Sequence, residues 1–79
     1  MMIKNDVKKI MSEVFNLEKT KIKDNTDFSD IAEWDSLSHL NLVLSLEKEF
    51  NIRFETHVIN NLTSLKEIIN QIEKKKNKE

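Results

Sequence analysis

Three separate stretches of this chain place apolar residues three and four positions apart, the period that a helix turns into one continuous face. Ile3, Val7, Ile10, Met11, Val14 and Phe15 predict an amphipathic helix over residues 3–16. A second helix is predicted from Ser36 to about Asn51. The third carries Leu65, Ile68, Ile69 and Ile72, and Ser64 with Glu67 three residues on gives it a capping box. Glycine and proline are both absent, so the usual markers of turns are missing and boundaries must be read from caps and periodicity. Residues 55–61, with Val58 and Ile59 apolar, read as one or two turns of a short helix. The expected fold is all-α, a bundle of three main helices plus one short helix.

Seventy-nine residues make a single domain, 1–79, too short for a two-domain enzyme with a cleft. A chain of this size buries only about 60% of its unfolded surface. With no cysteine and only His39 and His57 as histidines, it must stand on helix packing alone, and no metal site is expected. No run approaches the roughly 20 apolar residues that span a bilayer. The first residues carry a charge and no small-residue cleavage site. A cytoplasmic monomer without membrane insertion is expected. Residues 74–79 read as a frayed basic tail at the negative end of the last helix.

Between the first two helices the pattern breaks. Residues 19–30 are rich in Lys, Asp, Asn and Thr, and the stretch reads as a long loop pinned by Ile22, Phe28, Ile31 and Trp34. A helical turn is expected near residues 28–32. Loops of this length in small domains are more often functional than idle.

Charge is uneven. Residues 24–55 hold eight acids against Lys48 and Arg53, a net −6, whereas the rest of the chain carries eleven bases and six acids, a net +5. The acidic middle would repel nucleic acid and suit partners with basic surfaces.

The second helix has more apolar surface than one buried stripe needs. With Leu37 at zero and about 100° per residue, Leu42, Val43, Leu46 and Phe50 fall between about 140° and about 240°. Leu37, Leu40 and Leu44 form a separate row between about 300° and about 360°. Either the helix is packed on two sides, or this row is an exposed patch that docks partners. Glu47 would rim such a patch with negative charge. His39 falls on the core side, as a satisfied histidine and not a catalyst, and Trp34 is a packing anchor for the loop.

Ser36 opens this helix, its hydroxyl beside unpaired backbone N–H groups at the positive end of the dipole, a place that favours phosphate. As an isolated triplet, Asp35-Ser36-Leu37 is no more than an ordinary cap. The fuller pattern resembles the acyl carrier protein family. It comprises an amphipathic helix, an acidic loop, Asp35-Ser36-Leu37, then Leu46-Glu47-Lys48-Glu49-Phe50 closing the helix and Asn51-Ile52-Arg53-Phe54. A short helix, Leu62-Thr63-Ser64-Leu65 and a final amphipathic helix follow in the family's order.

The resemblance covers about residues 3–72 and implies a stand-alone carrier with an acyl-carrier-like bundle. Ser36 would bear a covalent 4'-phosphopantetheine, added by a phosphopantetheinyl transferase from coenzyme A with magnesium. Asp35 would be the acid that helps present the serine, and Leu37, Leu40, Leu44 and Glu47 would join it in docking partners. The arm's thiol would hold acyl or related groups as thioesters for acyl-loading and acyl-transfer enzymes. The chain itself would be no enzyme. An aminoacyl or peptidyl carrier, or an unmodified helical adaptor, stays open at this point. Ser38, Asn41 and Lys48 stand where the carriers of bulk fatty-acid synthesis bring acids, and this departure implies a specialised biosynthetic pathway.

Overall fold

The computed structural model describes residues 3–77. Helix α1 (Ile3–Phe15) leads into a long connection with 3-10 turns at Lys19–Lys21 and Phe28–Asp30. Helices α2 (Ser36–Phe50), α3 (Thr56–Ile59) and α4 (Leu65–Asn77) follow. The buried residues of the long helices are those the periodicity marks: Val7, Ile10, Met11 and Phe15 on α1, Leu42, Val43, Leu46 and Phe50 on α2, and Leu65, Ile68 and Ile72 on α4. α1 packs against both α2 and α4, and one apolar cluster joins these stripes to Ile52, Phe54 and Leu62.

Without glycine, two asparagines make the left-handed turns that end α1 and α2: Asn16 at φ 56° and Asn51 at φ 55°. Asparagine tolerates this region better than other residues with a Cβ. After each, the chain folds back onto a carbonyl five residues earlier, Leu17 N–H to Ser12 at 3.0 Å and Ile52 N–H to Glu47 at 3.1 Å, the closure of a Schellman cap. α2 therefore ends at Phe50, and Asn51 is its left-handed cap and not a helical residue. Asn51→Gly should preserve stability, whereas Asn51→Ala should lower it by about 1 kcal/mol, because alanine gains nothing in the left-handed region to offset its Cβ. Urea unfolding of the two variants beside the parent measures the difference.

The basic end of the chain departs from expectation. α4 continues through Lys74, Lys75 and Lys76 to Asn77, so the helix does not fray at residue 74. Lys75 Nζ holds both carboxylate oxygens of Glu55, at 2.9 and 3.0 Å, which ties the last turn of α4 to the start of α3. Cations also suit the negative end of a helix dipole. Residues 78–79 lie outside the described residues. At the other end of α4, Ser64 Oγ accepts the Glu67 N–H at 3.1 Å as expected, while the Glu67 carboxylate accepts from Gln71 Nε2 at 2.9 Å. One arm of the expected capping box is thus in place.

The long connection is pinned by three of the four residues expected. Ile22, Ile31 and Trp34 are buried, but Phe28 is 54% exposed. Asp27 caps the turn at Phe28–Asp30 by accepting the Ser29 N–H, and Asp30 returns the bond by accepting the Asp27 N–H at 3.0 Å. Phe28 opens that capped turn with its ring on the outside. A further inward anchor is Thr26, only 4% exposed. Its hydroxyl accepts the Lys23 N–H at 2.7 Å, and its carbonyl accepts the Leu65 N–H at 2.9 Å. Phe28 N–H reaches the Thr63 carbonyl at 2.8 Å, so Asp27 and Ser64 form an isolated antiparallel bridge. The loop is laced to the head of α4.

Candidate functional site

Ser36 is the first residue of α2, and Asp35 is its cap. The Asp35 backbone is extended, and its Oδ1 accepts the Ser38 N–H at 2.9 Å while its carbonyl accepts the first helical bond from His39 N–H at 2.8 Å. One of the free N–H groups that the sequence offered to a phosphate is therefore taken by Asp35. The same bond frees Ser36. Its side chain is exposed, and no hydrogen bond within the described residues engages its hydroxyl. The hydroxyls of Ser12, Ser29 and Ser64 are each bonded to neighbouring groups.

Beside Ser36 lies an open cleft of about 310 Å³ lined by Phe28, Trp34, Asp35, His39, Asn60 and Thr63. Trp34 fixes its floor. The indole is buried, its ring 5.0 Å from that of Phe15, and its Nε1–H donates to His39 Nδ1 at 2.9 Å. An indole N–H can only donate, so Nδ1 is the acceptor and the imidazole proton sits on Nε2. That proton is directed at the Ile59 carbonyl, 2.8 Å away. Both ring nitrogens are thereby used in joining the loop and the last residue of α3 to the first turn of α2. His39 is the satisfied histidine that the helical wheel indicates.

Leu37, Leu40 and Leu44 are 70%, 51% and 55% exposed, so α2 is not packed on two sides. Its second apolar row faces outward and starts next to Ser36. Glu47 is half-buried, and its Oε2 accepts the Phe54 N–H at 2.8 Å. It clamps the connection after α2 as well as bordering the leucine row. The residues that sequence reasoning missed are Phe28, Asn60 and Thr63 in the cleft wall. Asp27 and Asp30, spaced as a capping box, were the signal that could have turned Phe28 outward.

Hydrogen bonds hold four carboxyls below their ordinary range. Asp35 is lowered mainly by the Ser38 N–H and then the Ser38 hydroxyl, Asp24 by Lys8 and then Lys4, Asp27 by the Ser29 hydroxyl, and Glu55 by Lys75. A carboxyl whose folded pKa is depressed adds stability above its unfolded pKa and loses it as pH falls through the folded value. The melting midpoint should therefore be flat near neutrality and decline on acidification below about pH 4. A Tm series across pH checks this, and a midpoint that rises in acid would contradict it. Among the described residues, no helix is long and apolar enough to cross a membrane, and no cluster of side chains could hold a metal ion.

Comparison with known proteins gives a consistent set of likenesses. The family described as "Phosphopantetheine attachment site" matches residues 5–72. An acyl carrier protein of Cylindrotheca sp. (strain N1) is 33% identical over 69 residues, covering 87% of this chain and 86% of that protein. One of Buchnera aphidicola subsp. Schizaphis graminum (strain Sg) is 30% identical over 76 residues, covering 96% of each. The solution structure of the holo acyl carrier protein from Geobacter metallireducens superposes with a TM-score of 0.85 at 29% identity, over 99% of this chain and 90% of that one.

Proposed function

Because this chain belongs to the phosphopantetheine-binding acyl carrier protein family, we propose that Ser36 is the residue that bears its covalent 4'-phosphopantetheine. Acyl carrier proteins are carriers, and the thiol at the end of that arm supplies the sulfur that a chain without cysteine lacks. The observation that carries the assignment is the state of the Ser36 hydroxyl: exposed, unbonded, and on the rim of an open cleft. Asp35 takes the capping role that would otherwise hold that hydroxyl against the backbone. The cleft leaves room beside the serine for an attached phosphate and its chain, and the residues present fit the group.

In this reading residues 1–79 act as one carrier domain that performs no chemistry of its own. Its partners are a phosphopantetheinyl transferase and the enzymes that load and unload the arm, and its place is the cytoplasm. Leu37, Leu40 and Leu44 are the docking row. The row is apolar, exposed and contiguous with Ser36, which is what a surface needs if it is to deliver the arm into a partner's active site. Ser38, Asn41 and Lys48 along the same helix favour a specialised pathway over bulk fatty-acid synthesis. Incubation with a transferase, coenzyme A and magnesium, followed by fragmentation mass spectrometry, tests the attachment. The arm is expected on the peptide containing Ser36, and its recovery on any other residue refutes the assignment.

A further inference from the structure

Five of the eight acids in the middle of the chain are engaged away from the docking row. Asp24 is held by Lys4 and Lys8 of α1 at 3.1 and 3.0 Å, and Glu55 by Lys75 at 2.9 Å. Asp27 and Asp30 close their own turn. Glu49 borders a crevice with Asp6, Lys9 and Glu13 of α1. What flanks the row of Leu37, Leu40 and Leu44 is Asp35 at the Ser36 end, Glu47 at its side, and Lys48 with Arg53 at the far end.

Lys48 follows Leu44 by four residues and so continues the same row. The row runs into a hollow of about 670 Å³ lined by Leu44, Glu47, Lys48, Asn51, Arg53 and Lys75. Lys75 already holds Glu55, and Glu47 is bonded to the Phe54 N–H. Lys48 and Arg53 are exposed, with no carboxylate within 4 Å among the described residues.

The geometry points to a docking face of two signs, negative beside Ser36 and positive at the far end of α2, made for an acyl-handling enzyme with acidic residues opposite Lys48 and Arg53. The inference rests on the carrier reading above. At about 1.5 Å per residue, twelve residues from Ser36 to Lys48 put the partner's acids about 18 Å from the mouth through which the arm enters. A basic group opposite Asp35 completes the match. Opposite charges at the two ends of an apolar strip fix the direction in which the helix lies on its partner, so that Ser36 and not Lys48 faces the mouth. A partner with a uniformly basic surface is repelled at the far end.

The test uses the full chain with its arm attached and verified by intact mass. The probe is the acyl-loading enzyme isolated from the carrier's own cells by following acylation of that arm. The double variant Lys48→Glu with Arg53→Glu should lower kcat/KM about tenfold at low salt, chiefly through KM, with the deficit shrinking as salt is raised. Lys48→Gln with Arg53→Gln should lose less. Lys66→Glu, on the α4 side of the molecule beside Lys4 and Asp24, should match the parent, and circular dichroism checks that all variants are folded. An unchanged rate for the double reversal shows that the two cations are merely solvated, and a raised rate shows a basic partner surface. Either overturns the proposal. Failure of the carrier reading would show separately, as a parent chain that gains no arm.

Discussion

Ser36→Ala should gain no phosphopantetheine under conditions that convert the parent chain completely, while its helical circular dichroism and unfolding midpoint stay close to the parent's. The two halves of this result have different causes. On the proposed assignment, loss of the oxygen removes the atom that would attack the coenzyme A pyrophosphate, so no slower route to the same product remains. Stability is spared because Asp35, not Ser36, caps α2, and the serine is an exposed residue of the first turn. Substitution at such a surface position should cost no more than about 0.5 kcal/mol. A true cap would cost about 0.5–2 kcal/mol on truncation to alanine, so Asp35→Ala is the informative companion. A Ser36→Ala chain that is still fully modified would show that the attachment lies elsewhere. Ser38 would then be the next residue to test, although it lies inside the first turn of α2 with its N–H held by Asp35.

Leu46→Ala and Leu44→Ala should separate folding from delivery. The two leucines are two positions apart on one helix and face opposite environments: Leu46 is fully buried, whereas more than half of Leu44 is exposed. Truncating a sealed leucine forfeits its transfer energy and leaves a cavity, for a loss of about 2–5 kcal/mol. In a domain this small, such a loss takes a large share of the total. Leu44→Ala removes surface already in water and should cost under about 1 kcal/mol. Its deficit should appear instead when a partner loads or unloads the arm. Chemical unfolding beside an acyl-transfer assay gives both readings. Equal destabilisation by the two substitutions would place Leu44 in the core, and unaltered transfer by Leu44→Ala would remove it from the docking surface.

The helices were legible because their cores repeat at the helical period, and helical period is what packing against a neighbour demands. The double apolar character of α2 was legible for the same reason, since seven large residues cannot all lie on one stripe. His39 and Trp34 were placed by angle and by size. What the sequence hid was decided by bonds between residues far apart in the chain. Thr26 is buried because its carbonyl meets Leu65, and nothing local to Thr26 announces that. Lys75 holds the end of α4 in place through Glu55, twenty residues away. The net charge of the middle segment misled in the same way. Counting acids along the chain assigns them to one surface, whereas Asp24 and Glu49 turn toward α1 and Glu55 toward α4. Ser36 was proposed from its neighbours in sequence, but that its hydroxyl is free depends on the geometry of Asp35.

The lacing of Thr26 and Phe28 to Thr63 and Leu65 also bears on how the molecule opens. A surface connection of this length would ordinarily exchange its amide hydrogens through small local fluctuations, independently of the helices. Here the Leu65 N–H at the start of α4 is bonded to a loop carbonyl, and the Phe28 N–H of the loop is bonded to the segment that precedes α4. Two bonds thus join the loop to the head of α4. Leu65 and Ile68, in the first turn of α4, are fully buried, so lifting the loop exposes that turn and loosens part of the core. The segment leading to Ser36 and the head of α4 are therefore expected to open together, with the amides of residues 26–28 exchanging as slowly as those at the head of α4.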